Sequence, residues 1–269
     1  MNESSNTYQA VRIGDIADWR LICVISAAGM SAYLRNVNPT QEIVTVFDEK
    51  WNVAPESLLR QIESTVYDHP QVLDDFTADI VVEAPHSLWV PTGLVADDED
   101  EAVRLYTQVY AADEQDIMAD EAADATCLYT LVPRLNAFLQ RTFPGARVHS
   151  HLGVLVTRFR ERSSDMPRVY IDIRDGEADY VAFDCRNLLM AATHRWNAPT
   201  DLQYHLFNIL DVYRLDPAEV QVSLSGPREV KNHLMQELRK TLRYVMLTMV
   251  PSVGVKAGMP LSGALMMRS

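Results

Sequence analysis

The sequence is short of cysteine, of long apolar runs and of basic charge, and each shortage removes a class of function. Only three cysteines, Cys23, Cys127 and Cys185, occur in 269 residues. They are odd in number, far apart and match no metal-ligand spacing, so neither a disulfide framework nor a zinc site is expected. Each lies in an apolar run, the setting of a buried free thiol in a reducing cytoplasm. No uninterrupted apolar stretch approaches the ~20 residues that a membrane-crossing helix needs. The opening residues, MNESSNTYQAVRIGD, show no cationic start followed by an apolar run, which argues against a secretion signal. Lys and Arg number 24 against 37 Asp and Glu, a net charge of −13. That balance disfavours nucleic acid and anionic lipid as partners held by a general field.

What remains suits a folded cytoplasmic protein of one large or two medium domains, since apolar residues make up 48% of the chain. The acidity is local. Residues 97–124 hold eleven acids and one base, Arg104, leaving the rest of the chain near neutral.

The second half has the clearer pattern. RVYIDI (168–173) and DYVAFDC (179–185) are rich in β-branched and aromatic residues and flank Asp175-Gly176, a strong hairpin signal that predicts a type I′ turn. NLLMAATHRW (187–196) makes a third strand. Thr200-Asp201-Leu202-Gln203 has the form of a capping box, opening a helix with Leu202, Leu206, Ile209, Leu210 and Tyr213 on one face. EVQVSLSG (219–226) is a buried-type strand. Gly226-Pro227 starts a last helix, with Val230, Leu234, Leu238, Leu242 and Val245 aligned. The order is β-β-β-α-β-α. The first half repeats it: a meander over 19–51, a helix from Pro55 and a strand at 78–85. An acidic insertion over 94–126 follows, with a helix carrying Ala102, Leu105, Tyr106, Val109 and Tyr110, and then a strand and a helix over 127–145.

A duplicated meander, helix, strand, helix resembles the ribonuclease H-like unit, two of which form the actin-like ATPase superfamily of actins, sugar kinases and heat-shock seventies. More closely, EAPHSLWVPTGL, CLYTLVPRLNAFLQRTFPGARVHSHLGVLV and YIDIRDGEADYVAFDCRNLLMAATHRWNAPTDLQYHLFNILDVYRL resemble a family of uncharacterised Bacteroidetes proteins with an actin-like ATPase fold. The resemblance implies an α/β fold of two lobes with mixed sheets, over 15–165 and 166–246. A flexible N-terminus (1–14) and a flexible or docking tail (247–269) flank them. It implies no established activity.

Members of that superfamily that bind ATP are implied to hold its phosphates and Mg²⁺ on glycine-rich turns that carry strand aspartates. Here those turns are depleted. In VISAAGMSAYL, Ser26 stands where the acid would be and only Gly29 remains of the glycines. In DIRDGEAD, Asp172 and Gly176 match, but Arg174 and Asp175 replace glycines, and Asp175 sets a negative charge against phosphate. In SLSGPRE, Gly226 is kept and Ser225 replaces its partner. The Asp-Gly stretch is therefore read as a structural hairpin in a degenerate ATPase that works as a scaffold or partner-binding subunit, with no cofactor, metal or catalytic residue expected. Its partner would be an unknown protein or a second copy. The alternative is a divergent ATPase or small-molecule kinase, with ATP and Mg²⁺ held by Ser26, Gly29, Asp172, Asp175, Gly176 and Gly226.

Other candidates have plainer explanations. His149-Ser150-His151 would put two imidazoles on one strand face, but no third zinc ligand is near in sequence. Asp97–Glu101 lacks the alternation of a calcium loop. Ser4-Ser5 and Ser163-Ser164 have no nucleophile context. Trp89, between Pro85 and Pro91, is read as a packed loop anchor. The tail 246–269 has no acid and five of the eleven methionines, which suits either a disordered terminus or an adaptable strip that docks.

Overall fold

The computed structural model describes residues 15–37, 43–97, 99–111, 113–122, 124–162, 165–250, 254 and 257–266. The N-terminal segment, Ser4-Ser5 and Ser163-Ser164 lie outside these residues.

The first half runs β1 (Trp19–Ser26), β2 (Gly29–Asn36), β3 (Ile43–Lys50), α1 (Leu58–Asp68) and β4 (Thr77–Val82). An insertion follows, of β5 (His86–Pro91), α2 (Thr92–Asp97), α3 (Glu99–Tyr110), β6 (Met118–Ala122) and β7 (Ala125–Thr130). Then come α4 (Leu135–Thr142), β8 (Arg147–Ser150) and α5 (His151–Arg160). The second half runs β9 (Arg168–Ile173), β10 (Glu177–Asp184), β11 (Asn187–Arg195), α6 (Pro199–Val212), β12 (Gln221–Ser225), α7 (Arg228–Leu238) and β13 (Tyr244–Leu247), with α8 (Leu261–Met266) last.

Each half builds a five-stranded mixed sheet in one order, β3-β2-β1-β4-β8 and β11-β10-β9-β12-β13. In each, the meander strands pair antiparallel, while the fourth strand lies parallel to the first and to the fifth. The repeat is thus β-β-β-α-β-α-β, one strand longer than the sequence pattern suggests. Both fifth strands are only four residues long, too short to leave a period-2 signature. In the second half the helix ends at Leu238, so Leu242 and Val245 are not on its face, and Val245 is buried in β13. The insertion forms its own sheet, β5-β7-β6, with Trp89 on a strand and not in a loop.

Strand alternation gives each sheet two buried faces. On one face of the first sheet, Leu21, Cys23, Ile25 and Ile80 pack with Ile62 and Val66 of α1 and Phe138 and Leu139 of α4. On one face of the second, Val169, Ile171, Tyr180 and Leu224 pack with Leu206 and Ile209 of α6 and Leu234 of α7. The remaining faces, with Ile22, Val24 and Val81 on one side and Tyr170, Val181 and Phe183 on the other, enclose α5 and α8 in a shared middle layer. All six residues of α8 are buried, and Leu265 is fully so. Burying one such leucine contributes on the order of 2 kcal/mol, which holds this part of the tail in place.

Two local expectations are corrected. Helix α6 begins two residues earlier than a Thr200 cap implies, because Pro199 is preorganised for the first helical position. Its cap is Asp201, whose carboxylate accepts from the Asn197 and Ala198 N–H groups. The two imidazoles do not share a strand face. Ser150 caps α5, so the chain changes from strand to helix between His149 and His151.

Candidate functional site

Three turns meet at the mouth of the groove between the lobes. Ser26, Asp172, Asp175, Gly176 and Gly226 line one cavity of about 980 Å³, with Lys50, Glu83, Glu177, Lys231 and the tail residues Gly258–Leu261 in its walls. Five of the six sequence candidates are therefore brought together. Gly29 is the exception: a Cβ there would lie 2.6 Å from the Glu49 carbonyl oxygen, so the glycine serves the close pairing of β2 with β3.

The other two turns are likewise occupied with their own backbone. Gly226 has φ 115°, and a Cβ on it would meet the Ile173 carbonyl oxygen at 2.3 Å. The hairpin at Asp175-Gly176 is not type I′, since of the pair only Gly176, at φ 70°, takes a positive φ. Trp196, following β11, braces the turn. Its N–H donates to the Gly176 carbonyl, and its indole N–H reaches the carbonyls of Arg174 and Glu177. Ser26 is engaged inside its own turn, accepting from the Ala28 N–H and donating to the Gly29 carbonyl.

The residue at the centre of the site is Arg174. Its guanidinium grips Asp179 bidentately at 2.9 Å and 2.9 Å, and its third nitrogen lies 3.0 Å from Glu83 at the end of β4. Asp179 is 1% exposed and also accepts from Thr193 at 2.6 Å. His151 completes the bridge, with Nε2 3.2 Å from Asp179 and Nδ1 3.3 Å from the Val82 carbonyl of the first lobe. Burial opposes the charge on Asp179, but the adjacent His151 and Arg174 outweigh it and hold the carboxyl well below the usual range. Asp172 shows the reverse. Burial first, and then the charge of Asp179, push its carboxyl up to about 7, against the smaller opposing effects of Ser225 and Arg174.

The site does not fit Mg²⁺. A metal would need free strand carboxylates, yet Asp179 and Glu83 are both engaged in ion pairs with Arg174, and burial holds the Asp172 carboxyl up at about 7. Among the described residues no three His, Cys, Asp or Glu side chains converge on a metal position. Five acids (Asp48, Glu83, Asp172, Asp175, Glu177) and three bases (Lys50, Arg174, Lys231) line the cavity. That surplus of acid disfavours a polyphosphate without a metal.

The other imidazole serves the insertion. His149 lies 3.7 Å from Asp79 and 3.5 Å from Asp120 of β6. Burial alone would lower its pKa, but the two acids raise it to about 9. Arg174, Glu83, Asp179 and His151 were missed as site residues because they are scattered over 97 positions. The sequence showed them only separately, as Arg174 in place of a glycine, His151 beside His149, and an acid, Asp179, at the start of an apolar run.

A family model described as "Protein of unknown function (DUF3822)" matches residues 9–245. The chain belongs to the DUF3822 family. Among solved structures, this DUF3822 chain resembles a protein of Bacteroides thetaiotaomicron with an actin-like ATPase fold and unknown function. The TM-score is 0.77 at 16% identity, covering 94% of this chain and 96% of that one. It also resembles a chain of the PilM–PilN type IV pilus biogenesis complex, with TM-score 0.54 at 13% identity over 92% and 96%. Among curated proteins none matches. The DUF3822 chain has the actin-like ATPase fold, and no described helix is long and apolar enough to cross a membrane.

Proposed function

We propose that this protein is a degenerate member of the actin-like ATPases, a scaffold or partner-binding subunit that does not turn over nucleotide. The observation that carries the proposal is Arg174. It stands where the resembling ATPases keep a phosphate-facing glycine, and it fills the floor of the cleft with a fixed cation bridging both lobes. The bidentate grip on Asp179 fixes the guanidinium within the second lobe, and its single bond to Glu83, with that of His151 to Asp179, resists the lobes moving apart. The likeness to a chain of a pilus biogenesis complex supports a role in assembly with other proteins.

The alternative, a divergent ATPase or kinase, draws on the size of the cavity and on Lys50 and Lys231 in its wall. Calorimetry with ATP and Mg²⁺ separates the two readings. No saturable heat and no phosphate release are expected. Tight binding with hydrolysis, abolished by Asp172→Ala in a folded variant, would overturn the proposal in favour of the alternative.

A further inference from the structure

The molecule holds a second, smaller cavity of about 480 Å³ at the opposite end of β9, separated from the first by the segment Leu247–Thr248. Its defining residue is Arg168, 2% exposed and among the largest fully buried side chains. A buried guanidinium ordinarily faces a carboxylate, because desolvating an unpaired charge is costly. Among the described residues Arg168 has no ion pair. Its hydrogen bonds go only to neutral acceptors: the Arg162 carbonyl, the Tyr170 hydroxyl at 3.1 Å and the Cys185 carbonyl at 3.0 Å. The rings of Tyr170 and Phe183, 5.9 and 5.7 Å away, add cation–π stabilisation of its charge. Its Nε–H is buried with no hydrogen-bond partner among the described residues.

The rest of the wall points the same way. The Thr248 Oγ1 is buried and without a hydrogen-bond partner among the described residues. Tyr170 accepts from Arg168, so its own proton is available to donate. Ser223, 4% exposed, adds a hydroxyl from β12. At the rim, Met246 and Met249 are 40% and 73% exposed, and Arg162 pins the Met249 carbonyl at 2.6 Å. The chamber thus combines an uncompensated buried cation, donors with spare hydrogens and an apolar, adaptable lip.

We infer that this cavity binds a carboxylate carried on an apolar body, with Arg168 as its counter-charge and Thr248 as a second donor. The size suits a small ligand, and a charge-assisted bond to a desolvated arginine is the strong kind. The inference is independent of whether the first cavity takes nucleotide. A small organic acid and the C-terminus of a peptide share this chemistry.

Thermal-shift and calorimetric titrations of the whole protein test it with hexanoate, acetate, inorganic phosphate, and the peptide acetyl-Val-Leu-Ala as free acid and as amide. Hexanoate or the peptide acid binds saturably, acetate at least tenfold more weakly, and the peptide amide not at all. The stronger of the two binders identifies the source. Arg168→Met weakens binding at least tenfold. Should that variant fail to fold, Thr248→Val and Met249→Ala, at the wall and rim, each weaken binding severalfold in a folded protein. No saturable binding of either carboxylate overturns the inference. So does phosphate binding as tightly as hexanoate, or affinity unchanged in all the variants.

Discussion

Replacing Arg174 by methionine keeps the volume of its stem and removes its charge. In the native protein the guanidinium faces Asp179 at 1% exposure and Glu83 at 10%. Breaking a buried pair by removing one partner costs about 3–5 kcal/mol, because the other charge is stranded. Two features place the loss at the low end. Asp179 keeps Thr193 and His151, and Glu83 borders a cavity that admits water. The expected loss is about 3 kcal/mol at pH 7, which for a chain of this size lowers the melting midpoint by roughly 6–12 °C. The pH profile identifies the cause. Asp179 has a depressed pKa, so its contribution is present above the unfolded carboxylate value and fades as pH falls through the acid range. The gap between wild type and variant, followed by urea denaturation, should therefore hold from pH 7 to about pH 4 and narrow as pH falls from there towards about pH 2. Arg174→Lys should recover only part of the loss, since a point charge cannot span both carboxylates. A loss below about 1 kcal/mol, or one as large near about pH 2 as at pH 7, would refute the reasoning and make Arg174 a packing residue.

Asp172 behaves in the opposite sense. A carboxyl at about 7 in the fold against 3.8 outside it holds a proton the unfolded chain has lost, so ionising it costs up to about 4 kcal/mol as pH rises from about 4 to about 7. Asp172→Asn should stabilise the protein at pH 8 and be neutral at pH 4, by denaturant midpoint; destabilisation at pH 8 would show the carboxylate to be needed. Gly153→Ala lies in α5, where alanine normally gains about 1 kcal/mol of helix propensity. A Cβ there would meet Asp120 Oδ2 at 2.4 Å, the oxygen that accepts from the Ser150 N–H. The variant should instead lose about 1–3 kcal/mol, with β6 gaining hydrogen exchange before the main sheets; a more stable variant would contradict that packing.

Local chemistry settled a large part of the fold before any coordinates. The meanders, α1, α6 and β12 all follow from apolar period and turn residues, because a strand or helix that buries one face must carry that face in its own sequence. The repeat of element order was legible for the same reason. β8 and β13 were not, since four residues are too few to show a period, and a short parallel edge strand exists only because its neighbour offers an open ladder. The insertion reads as an acidic segment, yet its separate sheet depends on β5 and β7, which are 34 or more residues apart, finding each other.

The site divides along the same line. The depleted turns were visible in Ser26, Arg174, Asp175 and Ser225. What replaced the phosphate chemistry was not, because Glu83, His151, Arg174 and Asp179 share no spacing and meet only when both lobes close on α5. Residue type and period decided which elements form, since those depend on neighbours along the chain. Which charges face each other across the cleft, and which cation stays unpaired at Arg168, was decided by the tertiary structure alone, since electrostatic energy depends on distance and burial in space.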